Sequence, residues 1–233
     1  MHVDFSHRAT PILIHFCYNV AMNCPICSTQ THAFVDERHG IEYRACMTCQ
    51  YRFKSPQHHP DWTAQKQRYD LHQNNPDDPG YRAYFQRFLD FVLPHIPQKG
   101  SVLDFGSGAS DLLSSMLREQ GWDAMRYDPI YHPDTAYTHQ HFDLIVSTEV
   151  FEHLDDPSGA LSHLHGCLAP GGHLALQTQF YPIEEEAFLD WYYRLDPTHI
   201  GFFTPETFRW LASVYGMEYA GDDGTNKVVL RRR

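Results

Sequence analysis

Two sets of residues in this 233-residue chain have the types and spacing for chemistry. The first is a pair of cysteine knuckles, Cys24-x-x-Cys27 and Cys46-x-x-Cys49, with 18 residues between them. Each CxxC can turn two thiolates toward one ion, and two such pairs at this separation read as a zinc site. Four cysteines leave no open coordination position, so the metal is expected to be structural, stabilising a module too small to hold a core of its own. Ala33-Phe34-Val35 and Ile41-Glu42-Tyr43-Arg44, on either side of Gly40, can form the hairpin of a zinc ribbon. Two disulfides would use the same cysteines but do not suit a reducing compartment, and neither pair opens a βαβ unit as a redox motif would. Cys17 and Cys167 lack a partner pattern and read as ordinary thiols. The chain has 17 histidines, and none shows ligand spacing with a third ligand beside it.

The second set is Asp104-Phe105-Gly106-Ser107-Gly108-Ala109-Ser110-Asp111, at a point where a buried strand turns into a helix. Parallel α/β sheets bind nucleotides there, because glycines let the backbone approach a ligand and the helix start offers free amides. A dinucleotide fold needs a small residue where Asp111 stands, and a carboxylate would repel a pyrophosphate. A nucleoside ligand without phosphates fits better. Asp128, 24 residues after Asp104, ends the next strand, where a carboxylate can accept from both ribose hydroxyls; its other reading is a turn cap before Pro129.

The elements that must position these residues alternate. Apolar positions Tyr84, Phe85, Phe88, Leu89 and Val92 have helical spacing, stopped by Pro94 and Pro97. From Ser101 onward strands at Val102–Phe105, Ala124–Asp128, Leu144–Ser147 and Leu174–Gln177 are separated by helical stretches. Two further strands about Gly221-Asp222-Asp223-Gly224 close the series as an antiparallel pair. The pattern predicts an α/β fold, a Rossmann-like doubly wound sheet, with the small zinc ribbon in front. The expected division is a ribbon over 22–56, a linker with one short helix over 57–80, and a catalytic domain over 81–233. Residues 1–21 show no clear period, and Met22 is a candidate start that would make them a non-native or disordered extension.

Val102-Leu103-Asp104-Phe105-Gly106-Ser107-Gly108, Tyr127-Asp128, Phe142-Asp143-Leu144-Ile145, Glu149-Val150-Phe151-Glu152-His153-Leu154 and Leu168-Ala169-Pro170-Gly171-Gly172 occur in that order. The series resembles the successive motifs of class I S-adenosylmethionine-dependent methyltransferases, in the branch of ubiquinone-type O-methyltransferases, over about residues 80 to 233. The resemblance implies that Asp104, Gly106, Ser107 and Gly108 hold the methionine part of S-adenosylmethionine. It further implies that Asp128 holds the ribose and that Thr148, Glu149 and Val150 floor the pocket. Ser110 replaces the family's third glycine, and the short run 130–141 leaves little room for a third strand and helix, so the adenine contacts stay unassigned.

Methyl transfer depends mainly on alignment of donor and acceptor, and a general base is needed only for a protonated acceptor. Glu149, Glu152, His153 and His199 are the candidates; a helix starting at Glu149 would put the first three on one face. Glu152 and His153 can equally pin their loop by hydrogen bonds. Phe180, Tyr181, Phe188, Trp191, Tyr192, Tyr193, Phe202 and Phe203 form either an acceptor wall or a satellite core. The methyl would go to an oxygen or nitrogen of an acceptor that is a small molecule, a protein or tRNA, the latter two recruited by the ribbon.

Charge limits these choices. The net charge is −11, and residues 61–233 carry 13 basic against 25 acidic groups, which argues against tight nonspecific binding to nucleic acid. Arg231-Arg232-Arg233 reads as a solvated tail. The longest early apolar run, Pro11–Cys17, is too short to span a bilayer and lacks a signal-peptide frame, so a cytoplasmic protein without a membrane partner is expected. The competing readings are a non-catalytic adaptor that binds the nucleoside, and an NAD(P)-dependent oxidoreductase, which Asp111 disfavours.

Overall fold

The computed structural model describes residues 22–71, 75 and 77–233, so the possible extension over 1–21, with Cys17, lies outside the described residues. The larger of two sheets has six strands: β4 (Ser101–Phe105), β5 (Asp123–Tyr127), β6 (Phe142–Thr148), β7 (Leu168–Gln177), β9 (Met217–Asp222) and β10 (Lys227–Arg232). Their order is β5-β4-β6-β7-β10-β9; the first four are parallel, and the last two form the expected antiparallel closure. Between β5 and β6 there is only a 3-10 turn at Thr135–His139, as the shortness of that run required.

Side chains along β4 and β6 alternate between the two faces of this sheet. Val102, Leu144 and Val146 pack with Phe85, Phe88, Leu89 and Val92 of α2 (Pro79–Val92) and with Met116 and Leu117 of α3 (Leu112–Glu119). Leu103 and Ile145 pack with Leu161 and Leu164 of α4 (Pro157–Cys167) and with Phe208 and Leu211 of α5 (Pro205–Val214). Helices on both faces are what a parallel sheet requires. Arg231 and Arg232 are not a solvated tail: both belong to β10, and Arg232 donates from Nη1 to the carbonyl of His165 at 3.2 Å.

The second sheet begins with β1 (His32–Asp36), β2 (Ile41–Ala45) and β3 (Arg52–Lys54), an antiparallel meander turning at Gly40 with φ of 65°. Its fourth strand is β8 (Gly201–Phe202), which pairs with β3 through Arg52↔Phe202 and Phe53↔Gly201. Gly201 allows the approach, since a Cβ there would sit 2.2 Å from the Tyr51 hydroxyl. Phe34, Tyr43 and Ala45 share a core with Tyr181, Phe188, Tyr193 and Phe202, so these aromatic residues form the satellite core. Arg52 lies over the Tyr181 ring at 4.5 Å, a cation–π contact across the same boundary. Asp36 and Arg194, each 1% exposed, form a salt bridge of 2.7 Å there. The ribbon is therefore annexed to residues 181–203 through a shared sheet and a shared core.

The stretch between ribbon and large sheet holds α1 (Trp62–Asp70), capped at its start by the Asp61 carboxylate. It is more than a spacer, because Arg68 binds Asp196 at 2.7 Å and the Tyr131 hydroxyl donates to Asp70 at 2.8 Å. No helix among the described residues is long and apolar enough to cross a membrane.

Candidate functional site

A cavity of about 1180 Å³ opens above the carboxyl ends of β4, β5 and β6, the expected place for a ligand in a parallel sheet. Its lining brings together Asp104, Gly106, Ser107 and Gly108 from the first strand-to-helix turn, Asp128 after β5, and Thr148, Glu149 and Val150 after β6. His153 and His199 line it too, and α1 contributes Tyr69 and Asp70 as a further wall. Glu152 does not face the cavity; it is fully buried behind it.

The glycine loop is shaped by steric need. Gly106 has φ of 76°, and a Cβ there would lie 2.3 Å from Cγ2 of Val150. Only glycine lets β4 and the loop after β6 converge on one floor. Behind the loop, Asp104 is buried, with its Oδ2 accepting from the Ser114 hydroxyl at 2.9 Å. Burial pushes its carboxyl up to about 6, so the free protein holds it part-neutral near that pH.

Asp128 fills the turn-cap role read from its position and adds a link to the glycine loop. Its Oδ1 accepts from the amides of Ile130 and Tyr131, at 2.8 and 3.0 Å, which is the turn cap. Its Oδ2 accepts from the Gly108 amide at 3.0 Å and so couples the second strand end to the glycine loop.

The end of β6 does not run into a helix that would put Glu149, Glu152 and His153 on one face. Glu149 takes φ of 54°, and only a 3-10 turn at Phe151–His153 follows. A non-glycine residue held in the left-handed region costs about 1–3 kcal/mol, and surrounding contacts must enforce it. They do: the Tyr84 hydroxyl donates to Oε1 of Glu149 at 3.0 Å, and the Tyr193 hydroxyl sits 2.8 Å from Oε2. Tyr193 also hydrogen bonds Glu152, so one hydroxyl joins two buried carboxyls. Burial, then the neighbouring Glu152, raise Glu149 to about 7.

His199 donates from Nδ1 to the carbonyl of Tyr193 at 2.8 Å, and His153 does the same to Thr198 at 2.8 Å. Burial, reinforced by His153, pushes His199 down to about 3, which keeps it neutral and makes it a weak base near pH 7. No strand or helix spacing links His153 with His199, yet their rings lie 4.8 Å apart.

The family described as "Methyltransferase domain" matches residues 79–220 of this chain. The chain belongs to that methyltransferase family. Among curated relatives, the ubiquinone biosynthesis O-methyltransferases of Yersinia pestis (strain Pestoides F) and Yersinia pseudotuberculosis (strain YPIII) are each 31% identical, over 33% of this chain and 41% of their own. The chain thus spans about two fifths of the length of the curated relatives it matches.

Among solved structures, the fold is similar to the 1,6-didemethyltoxoflavin-N1-methyltransferase of Burkholderia thailandensis, determined with bound 1,6-didemethyltoxoflavin and S-adenosylhomocysteine. That likeness has a TM-score of 0.54 at 14% identity, over 87% of this chain and 98% of that one. The PH0226 protein of Pyrococcus horikoshii OT3 is also similar, with a TM-score of 0.51 at 11% identity, over 72% of this chain and 99% of that one. At such identities the likeness shows the Rossmann-like methyltransferase fold.

Outside the methyltransferase sheet, Cys24, Cys27, Cys46 and Cys49 place their sulfurs within 4.8 Å of one another. The pairs Cys24/Cys49 and Cys27/Cys46 stand 3.5 and 3.3 Å apart. A tetrahedron with zinc–sulfur bonds of about 2.3 Å has edges of about 3.8 Å, so the donor set fits a four-thiolate ion. The Ile26 and Cys49 amides point at the sulfurs of Cys24 and Cys46, as knuckle amides do to offset thiolate charge. Cys167 is a buried free thiol.

Tyr69 and Tyr84 complete the cavity wall, and Gln177 and Tyr193 bond Glu149 at its edge. Tyr84 occupies an apolar position of a helical stripe, and only its hydroxyl, reaching Glu149, distinguishes it from core. Tyr193 lies in an aromatic run in which Tyr181, Phe188 and Phe202 are packing residues.

Proposed function

We propose that this protein is an S-adenosylmethionine-dependent methyltransferase that acts on an oxygen or nitrogen of its acceptor and carries a structural zinc ion on Cys24, Cys27, Cys46 and Cys49. The observation that carries the reading is the convergence of Asp104, the Gly106–Gly108 turn, Asp128 and Glu149 on one cavity floor. When bound, S-adenosylmethionine supplies a methyl group on a positively charged sulfur. Asp104 and the loop amides would hold its methionine part, and Asp128 its ribose hydroxyls. Ser107, Thr148 and Val150 shape the floor between them. Asp111, exposed at the start of α3, favours this ligand over a dinucleotide.

The chain's own part in the reaction is alignment and exclusion of water. Tyr69 and the β6 end enclose the cavity from two sides, leaving the space beside Glu149, His153 and His199 for an acceptor. Four thiolates on a metal suit a reducing, cytoplasmic setting. Recruitment of a protein or tRNA acceptor by the ribbon would use its outer face, because its inner face is spent on Tyr181, Phe188 and Phe202. Deleting the ribbon would strip that core, so point substitutions on the exposed face are the sound test of recruitment.

The deciding experiment uses the purified full chain. Calorimetric titration with S-adenosylhomocysteine should give saturable binding, and a labelled methyl group should pass into fractionated lysate and identify the acceptor. Stabilisation by NAD(H) with no response to S-adenosylhomocysteine would overturn the reading. Elemental analysis should return one zinc held by the cysteines, lost in Cys46→Ser.

A further inference from the structure

We propose that Lys54, the last residue of β3 in the ribbon, is a positioning residue for the acceptor side of the methyltransferase cavity and acts through Asp196. The inference rests on the methyltransferase reading for the reaction it serves, and on contacts of its own for the residue.

The first observation is a charge kept where it costs stability. Lys54 is 2% exposed, and its Nζ donates to the main-chain carbonyl of Asp196 at 2.7 Å. Among the described residues no carboxylate lies within salt-bridge distance of it. Burial lowers the ammonium to about 8, which leaves it charged near pH 7. A cation shut away from water with a neutral acceptor is expensive, and a methionine would fill much the same space without that cost. Such a group is retained for function at the expense of stability.

The second observation is the place where the charge is held. Asp196 joins three segments that are distant in the chain. Its carbonyl takes Lys54 from the ribbon, and its Oδ2 takes the Arg68 guanidinium of α1 at 2.7 Å. Its Oδ1 accepts from the amide and the hydroxyl of Thr198, at 2.9 and 2.7 Å. The Thr198 carbonyl in turn holds the His153 ring, and His199 follows directly, so fixing Asp196 fixes both imidazoles on the cavity wall. Arg68 precedes Tyr69, whose ring stands edge-on to His153 at 5.3 Å. One residue therefore sets the histidine wall and the α1 wall that faces it.

The main chain repeats the link. The Lys54 amide donates to the Ile200 carbonyl at 2.9 Å, and the Ile200 amide donates to the Glu152 carbonyl at 2.7 Å, a ladder from β3 to the turn that carries His153. On the opposite rim, His59 donates from Nε2 to the Lys54 carbonyl at 2.8 Å, and its Nδ1 stands 2.9 Å from Oδ1 of Asp155, which lines the cavity. Both rims of the acceptor space thus hang from a single ribbon residue.

The charge has a use beyond the bond. An imidazolium on the wall of a cavity that takes a cationic sulfur would repel that ligand. Burial holds His153 and His199 neutral, and Lys54 behind them adds to the effect. The carboxyls of Asp196 and Glu149 pull the other way, and Glu152 stands 3.9 Å from the His153 ring.

The test compares Lys54→Met with the wild-type full chain, both loaded with zinc. The variant should keep its zinc, melt at or above the wild-type temperature and bind S-adenosylhomocysteine with unchanged affinity, because Lys54 touches none of the donor half. Transfer of labelled methyl from saturating S-adenosylmethionine into the accepting lysate fraction should fall by about tenfold to 100-fold. Nitrogen-15 spectra of histidine-labelled protein give a readout that needs no acceptor. His153 and His199 should show a protonated Nδ1 and a bare Nε2 in the wild type, and lose that single tautomer in the variant. A parallel fall in melting temperature, zinc content and transfer would make Lys54 a structural residue and overturn the proposal, as would wild-type transfer and ring spectra in the variant. If neither protein binds S-adenosylhomocysteine or transfers methyl, the methyltransferase reading fails by itself, and the ring spectra still decide the part of Lys54. Should Lys54→Met not fold, Lys54→Gln removes the same charge, stops short of the Asp196 carbonyl and is read by the same measurements.

Discussion

Asp36 and Arg194 give the sharpest prediction, because removing either charge leaves the other buried. Asp36→Asn keeps the shape of the side chain while deleting its charge. In the native structure the carboxylate receives Arg194 at 2.7 Å, the His39 ring at 2.7 Å and the Arg38 amide at 3.0 Å. The guanidinium, 1% exposed, would keep Tyr43 and the carbonyls of Phe188 and Leu189, all neutral acceptors. Breaking one side of a buried ion pair costs about 3–5 kcal/mol. In a chain of this size each kcal/mol moves the melting temperature by about 2–4 °C, so a fall of roughly 6–20 °C is expected. The assay is calorimetric and chemical unfolding, followed by intrinsic fluorescence from Trp191 beside the shared core and from Trp122 in the large-sheet core. Because the pair joins the ribbon to residues 181–203, the whole transition should shift as one. Asp36→Leu combined with Arg194→Met should cost less than the two single changes together, since it leaves no stranded charge. A loss below about 1 kcal/mol, or a ribbon that melts alone while the large sheet is unaffected, would refute the reasoning.

Three further outcomes are expected. Asp128→Ala removes a carboxylate that ties two strand ends together, and S-adenosylhomocysteine affinity should fall by about 30-fold, or ~2 kcal/mol, in calorimetric titration. Asp104, raised to about 6 in the free protein, must be ionised to receive a cationic amino group. Protonation therefore competes with binding below that pH, so affinity should weaken by up to about tenfold per unit from pH 6 to 5 and stay level above 7, a dependence that Asp104→Asn should abolish. Gly106→Ala forces a Cβ to 2.3 Å from Val150 and strains a φ of 76°. Adding Val150→Ala should relieve the clash but leave the backbone cost of about 1–2 kcal/mol, read as incomplete recovery of stability in denaturant.

The order of strands and helices was legible because apolar periodicity changes from two to helical spacing at each turn, and because Gly106, Gly108 and Asp128 stand where a parallel sheet binds ligands. The cysteine cluster was legible from spacing alone. What escaped was contact between segments far apart in the chain. The ribbon reads as a separate module since β3 is short and β8 has only two residues, too few to show any pattern. The aromatic run 180–203 reads equally as wall or core until Phe34 and Tyr43 are seen against it. His153 and His199 share no periodicity, so their meeting depends on the Thr198 and Tyr193 carbonyls that hold the rings. A helix opening at Glu149 is compatible with local spacing, and the tertiary contacts of Tyr84 and Tyr193 override it.

The pairing of β3 with β8 also sets an order of events during synthesis. Phe53 finds its partner Gly201 only after most of the chain has been made. At translation rates of about 5–20 residues per second, the finished β1–β3 meander would wait roughly 7–30 s outside the ribosome for residues 181–203. During that interval Phe34, Tyr43 and the charge of Asp36 face water, and the β3 edge is open to pairing with another nascent chain. Metal captured early by the four cysteines would hold the meander in register until its true neighbour emerges. With the proposed zinc on those cysteines, metal supply would govern the yield of native protein as much as the stability of what has already folded.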